Sequence, residues 1–378
     1  MKTIHETEAV VVGGGAVGCS VAYQLAKRGK DVTLVDKKEP GAGTSTKNFG
    51  LVWVSIKEPY YYMELNLKSS LMWPEMVDEL GEDVELRQER GGLKLCMTQA
   101  EYDKYSAVLE RQRRSPLFEG RMISPEEVWE LQPGASKEVV GAVWSPYDGD
   151  CDPIKWTRAL ERGCERAGVT IMSDTEVTDF DLDDESHEVK GVLTNRGRIG
   201  TAYAVNAAGP WAPQAAEMVG INIELFPERG QILVTEPTEI ICPTPMSTVR
   251  QDRHGRFLLG TTMEDVGFDW STTPEAADQI RADAARLVPA TADLAIERHY
   301  SGLRPMPRDG VPFLGPIPHI PGYYIAVGHS GITLSPIHGK IISDLIVDGE
   351  TDIDLTPYDP LRYDAKGTTE PGPERIGH

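Results

Sequence analysis

Basic residues are scarce in this chain. Its 378 residues hold 38 Lys and Arg against 59 Asp and Glu, a formal net charge of −21. Binding to a phosphate backbone draws its affinity from clustered Lys and Arg that displace counterions, so nucleic acid is not expected as a partner. Long apolar runs are missing as well. No stretch of about 18 apolar residues occurs, which excludes a helical membrane span. The opening MKTIHETEAVVV carries acid ahead of its apolar run and lacks the basic segment and small-residue cleavage site of an export signal. Cysteines number only five, Cys19, Cys96, Cys151, Cys164 and Cys242, with no CxxC pair among them. That spacing argues against a structural zinc site and points to free thiols in a reducing, cytoplasmic compartment. No cluster of His, Cys and carboxylates has metal-ligand spacing, and no repeat of about 20 to 50 residues recurs, so neither a metal nor a solenoid is expected.

What is present starts at residue 7. TEAVVVG is a short apolar run bounded by glycine, the pattern of a strand buried on both faces of a parallel sheet. From Ala16 to Lys27 the apolar positions Val17, Val21 and Leu25 recur every fourth residue, and Gly29 follows as a stop, which predicts a helix. Residues 31–35 (DVTLV) return to a buried strand. This βαβ opening sets the class as α/β. Later segments mix helices (99–114, 125–131, 154–167, 274–288, 336–347) with strands (91–97, 169–172, 188–193, 199–206, 229–235, 256–262, 323–327). The expected architecture is therefore a discontinuous Rossmann-type domain over 1–83, 150–222 and 299–365. A second α+β domain on an antiparallel sheet would take 84–149 and 223–298, with a disordered tail over 366–378. A homo-oligomer is left open by the sequence.

Gly13, Gly15 and Gly18 fall between the first strand and its helix. One permits the tight turn, the second lets backbone approach a pyrophosphate, and the third lets helix and strand pack closely. Asp36 ends the second strand, where a carboxylate bonds both hydroxyls of an adenosine ribose and repels a 2′-phosphate. The motif alone does not separate NAD from FAD. In GAGTSTKNFG (41–50), the Thr44 and Ser45 hydroxyls extend a phosphate cradle, and Lys47 adds positive charge nearby.

VVVGGGAVGCSVAYQLAKRG, GAGTSTKNFG, NAAGPWA, GLRPMPRDGVPFLGP and AVGHSGITLSPIHGK, in that order and spacing, resemble the FAD-dependent D-amino acid oxidase superfamily, nearest its glycine oxidase and sarcosine oxidase type. The resemblance runs from about residue 8 to 362. It implies that Ala16 and Val17 sit over the pyrophosphate, Asp36 and Lys37 at the ribose, and Thr44 and Ser45 on the phosphates. Asn48, Phe49 and Gly50 would run beside the isoalloxazine ring, with Ala208 and Gly209 also at the cofactor and Val177 offering its backbone to adenine. Gly328, His329, Ser330, Gly331, Ile332 and Thr333 would pass under the flavin and open a helix whose positive end favours the reduced anion. Arg304 would grip the substrate carboxylate, turning the Cα hydrogen toward flavin N5. No cysteine follows Cys242, so the covalent flavin link of some relatives is not expected.

The resemblance implies an FAD-dependent oxidase of an amino acid or N-substituted amino acid, with an imine that hydrolyses and dioxygen as electron acceptor. A flavin dehydrogenase of 2-hydroxy acids, or an amine dehydrogenase subunit with another acceptor, fits the same motifs. Two departures enlarge the expected pocket. HSGIT lacks the second arginine that glycine oxidases carry in this loop, and Thr248 stands where they place a tyrosine. Arg250, two residues along that strand, is a candidate for a second substrate carboxylate. Trp53 and Tyr60, Tyr61 and Tyr62 read as core packing, His329 and His338 as hydrogen-bonded structural histidines, and Lys47 as a contact to flavin or to attacking oxygen.

Overall fold

Ala9–Val12 holds four buried apolar residues, three of them valine, and β-branched side chains packed on both faces place it centrally in a sheet. The computed structural model describes residues 1–363, so the tail expected from 366 lies outside the described residues. In spatial order the six strands are Phe313–Pro316, Tyr323–Val327, Tyr203–Asn206, Ala9–Val12, Val32–Val35 and Thr170–Met172. All run parallel except the edge strand Phe313–Pro316. The opening helix is Ala16–Lys27, and Gly29 at φ 84 reverses the chain after it. Helix Gly331–Val347 packs against it and against helix Tyr60–Leu80, whose Trp73 stacks on Trp156 at a centroid distance of 4.1 Å. The aliphatic side chains buried between these layers contribute roughly 1.5–3 kcal/mol each.

A second sheet is antiparallel, ordered Val249–Gln251, Phe257–Gly260, Leu225–Thr235 and Ile296–Pro307. A three-stranded sheet (Gly92–Cys96, Gly141–Ser145, Arg121–Ile123) completes that side. The architecture is the α/β one expected, with a Rossmann-type sheet joined to an α+β unit.

Residues 199–206, expected as one strand, form two in different sheets. Gly197–Gly200 joins Thr3–Glu6, Val189–Thr194 and Val177–Leu182, while Tyr203–Asn206 enters the parallel sheet. The Thr201 hydroxyl, bonded to the Glu8 and Tyr203 carbonyls at 2.9 and 3.0 Å, holds the turn between them. Helix Tyr60–Leu80 and strand Ile296–Pro307 were not legible, the latter because charges, Gly302 and Pro305 mask its alternation. All five cysteines are buried and unpaired. Among the described residues, no helix is long and apolar enough to cross a membrane, and no group of three or more His, Cys, Asp or Glu is placed to hold a metal.

The carboxyl ends of the parallel strands, at Val12, Val35 and Val327, share one cavity of about 670 Å³ with Gly230 and Arg304 of the antiparallel sheet. Ligands in open α/β sheets lie at such strand ends.

Candidate active site

The first end of this cavity is shaped by missing side chains. Gly13 has φ 107, and a Cβ there would lie 2.5 Å from the Ala207 carbonyl oxygen. A Cβ on Gly18 would overlap the Gly13 carbonyl, so the third glycine serves helix-to-strand contact. Gly15 caps helix Ala16–Lys27 without a side chain and lines the cavity together with Val17, and the Ala16 N–H behind them donates to Ser45 Oγ at 2.9 Å. Asp36 accepts from the Gly14 and Lys38 N–H groups at 2.7 and 2.8 Å, and burial raises its carboxyl above the usual range. Val177 and Lys37 line the same end, with the Lys37 ammonium 3.6 Å from the centroid of Trp211. A helix start, a close-approach turn and a carboxylate at the end of the second strand fit the ADP half of FAD.

Beyond the cradle, the 44–50 loop is held by its own side chains. Asn48 donates to the Thr44 and Ser45 carbonyls at 3.1 and 2.8 Å and accepts from Gly50 N–H at 2.7 Å. Gly50 (φ 69) leaves no room for a Cβ beside the Cys151 carbonyl. Thr44, expected on the phosphates, donates its hydroxyl to the Leu303 carbonyl at 2.6 Å and so ties this loop to the strand of Arg304. Phe49 is buried against Ile232 and Leu258. Ala208, Gly209 and 328–333 line the cavity opposite. Thr333 Oγ1 donates to the Leu51 carbonyl and accepts from Trp53 N–H, each at 3.0 Å. Ser330, in the left-handed region at φ 61, receives bonds from Lys57 Nζ at 2.7 Å and Tyr62 Oη at 3.0 Å, and lies 3.1 Å from His329 Nδ1.

Arg304 stands at the other end. Strands Leu225–Thr235 and Ile296–Pro307 pair Glu228 with Arg304 and Gly230 with Gly302. Close approach to backbone requires Gly302, and Gly230 leaves the room that the guanidinium takes. A Cβ on Gly230 would overlap the Arg304 guanidinium, and one on Gly302 the Lys47 carbonyl. The guanidinium donates to Thr261 Oγ1 at 2.7 Å and the Thr262 carbonyl at 3.0 Å, with Glu228 at 3.4 Å. Burial pulls its pKa down from the ordinary value. Lys47 lines the wall with its ammonium 4.3 Å from the Trp270 ring centroid.

Five of the expected residues do not line the cavity: Ala16, Gly18 and Gly50 of the cofactor set, and the substrate-side candidates Arg250 and Thr248. Arg250 is 3% exposed and bonded elsewhere, its Nε to Asp150 at 2.8 Å and its Nη1 to the Phe49 carbonyl at 2.8 Å. Thr248 accepts from Lys94 Nζ at 3.4 Å, and its neighbour Ser247 reaches the wall instead. His338 is buried as expected, but neither ring nitrogen has a partner, and burial pushes its pKa down to about 3, which keeps the ring neutral. Tyr62 is buried, whereas Tyr61 is 38% exposed.

Lys57, Trp211, Met263 and Trp270 line the cavity without having been singled out. Trp211 stacks on Phe268 and Trp270 at 5.4 and 6.2 Å, and Arg229 anchors their segment through Glu264 and Asp269 at 2.5 and 2.6 Å. The NAAGPW motif carried a signal for Trp211. Lys57 sits in an aperiodic segment and gave none.

A dinucleotide cradle opening into a chamber walled by a half-buried arginine defines a nucleotide-dependent oxidoreductase. The chain belongs to the FAD dependent oxidoreductase (DAO) family, whose model matches residues 8–345. It is 30% identical to an opine oxidase subunit from Rhizobium meliloti, over 96% of this chain and 99% of that one. It is 28% identical to glycine oxidase of Geobacillus kaustophilus, over 96% and 98%. The crystal structure of L-proline dehydrogenase from P. horikoshii superposes with a TM-score of 0.87 at 29% identity, covering 95% and 98%. The protein is an FAD-dependent enzyme.

Proposed function

We propose that the enzyme oxidises the C–N bond of an amino acid or N-substituted amino acid held by its carboxylate on Arg304. The observation that carries this reading is the Arg304 guanidinium, partly buried over Gly230 on the wall of the cavity that begins at the cradle. FAD, held noncovalently by the cradle, supplies the two-electron acceptor. Arg304 supplies the anchor, since its planar fork matches a carboxylate in a bidentate pair, and its contacts to Thr261 and Thr262 fix its plane. Glu228 limits how far the guanidinium swings. Positive charge on Arg304 and Lys47 lowers the pKa of a bound substrate ammonium, favouring the neutral amine from which oxidation proceeds. The imine then hydrolyses in water, and no base at carbon is required. Opine oxidase, glycine oxidase and L-proline dehydrogenase among the relatives support an amino-acid type of substrate. Dioxygen serves as final acceptor in this reading, giving hydrogen peroxide.

The test is the visible spectrum of the purified protein as amino, N-alkylamino, cyclic imino and 2-hydroxy acids are added without oxygen. Bleaching by one of the nitrogen classes is expected, followed by recovery of colour in air. Bleaching by 2-hydroxy acids alone would overturn the C–N assignment, and colour that stays lost in air would overturn the acceptor.

A further inference from the structure

Lys57 lies between strand Leu51–Val52 and helix Tyr60–Leu80, 5% exposed, on the wall of the same cavity. An ammonium carries three N–H donors. One is used, to Ser330 Oγ at 2.7 Å, and the Tyr62 ring centroid lies 5.5 Å away. Among the described residues no carboxylate reaches it as an ion pair, whereas Arg304 has Glu228 and Arg250 has Asp150. Asp148, whose field reaches Lys57, is taken up by the Val54 and Ser55 N–H groups at 2.6 and 3.0 Å and by the Ser55 hydroxyl. An unpaired buried charge is costly, and burial accordingly pushes the Lys57 pKa down to about 8. At pH 7 the group remains mostly cationic, with spare donors beside an open cavity. An anion placed there recovers what burial lost.

Resting on the C–N reading above, we infer that Lys57 receives a second substrate carboxylate, which makes the substrates N-(carboxyalkyl) amino acids, secondary amines with one carboxylate on Arg304 and another on Lys57. The second-carboxylate role that strand position suggested for Arg250 thus falls to Lys57, since Asp150 and the Phe49 carbonyl occupy Arg250. A substrate with one carboxylate leaves the Lys57 charge uncompensated, so the site discriminates by a group left unpaired as much as by one satisfied.

The experiment uses ligands that cannot be oxidised. In the FAD-loaded protein, perturbation of visible absorbance gives Kd for methoxyacetate, which has one carboxylate, and for diglycolate, 3-(carboxymethoxy)propanoate and 4-(carboxymethoxy)butanoate, which have two at increasing separation. The wild type is expected to bind its best diacid at least about 10-fold more tightly than methoxyacetate. Lys57→Met is expected to weaken that diacid by about 10- to 100-fold and methoxyacetate by less than about threefold, while Lys57→Arg keeps most of the preference. Lys57→Gln, which removes the charge but can still bond Ser330, gives the same reading should the methionine variant fail to fold. Equal binding of mono- and diacids by the wild type would overturn the inference. So would equal loss for both ligand types in Lys57→Gln, which would make the residue a tether for Ser330. Because no turnover is involved, a preference for diacids without bleaching by any amine would place the failure in the C–N reading and leave Lys57 standing.

Discussion

The two ends of one cavity are built in opposite ways. At the cradle, Gly13, Gly15 and Gly18 remove side chains so that backbone and a helix start form the wall. At the chamber, Gly230 and Gly302 clear space so that charged side chains from elsewhere, Arg304 above all, enter the wall. The cradle recognises through the main chain and tolerates little change. The chamber recognises through side chains, and the choice of cation decides which substrate fits.

That contrast breaks most sharply at the glycines. Gly18→Val drives a Cβ into the Gly13 carbonyl, an overpacking cost of about 3 kcal/mol, so FAD retention should fall roughly 100-fold, read as visible absorbance per protein. At the chamber, Arg304→Met should lower kcat/KM toward carboxylate-bearing amines by about 10- to 100-fold while the flavin stays bound. It also removes the cation that faces Glu228 at 3.4 Å, so Tm should fall.

Arg250→Met separates charge inside the chamber from charge beneath it. With Arg87 still paired to Asp150 at 2.5 Å, the loss should be about 2 kcal/mol of stability in denaturant melts, and the diacid preference should not move. The pH dependence of diacid binding follows from Lys57, whose pKa burial lowers to about 8. The anion needs the ammonium, so affinity holds below pH 8, falls about tenfold per unit above it, and levels off once the raised pKa of the complex is passed. Around and above pH 8 Asp148, pushed up to about 6, is ionised and Tyr62, pushed up to about 12, is mostly neutral, while the Ser330 hydroxyl that Lys57 bonds at 2.7 Å does not titrate. The smallest effect is expected at the aromatic cover, where Phe268→Ala removes one ring from the Trp211 stack and should weaken FAD by about 2- to 10-fold in a dissociation assay.

Legibility in the sequence divides along the same line. The opening strand, helix Ala16–Lys27 and the second strand could be read because local periodicity and glycine spacing specify them without help from the rest of the chain. Arg304 was reached only through the resemblance, since IERHYSGLRPMP hides its strand, and no spacing reveals that Gly230 faces Gly302. Arg250 misled for a related reason. Strand parity places a side chain on a face but says nothing of the carboxylate waiting there, and Asp150 comes from a different strand. Lys57 was silent because its meaning lies in a missing partner, and only a packed structure shows what a charge lacks. Thr44 looked like a phosphate ligand by composition, yet its hydroxyl joins the loop to Leu303.

The most direct test of carboxylate-anchored C–N oxidation compares anaerobic bleaching by an N-substituted amino acid and by the same amine without its carboxylate, in the wild type and in Arg304→Met. The wild type is expected to react at least about 10-fold faster with the carboxylate present, and Arg304→Met to lose that difference. A variant that keeps the full preference would contradict it.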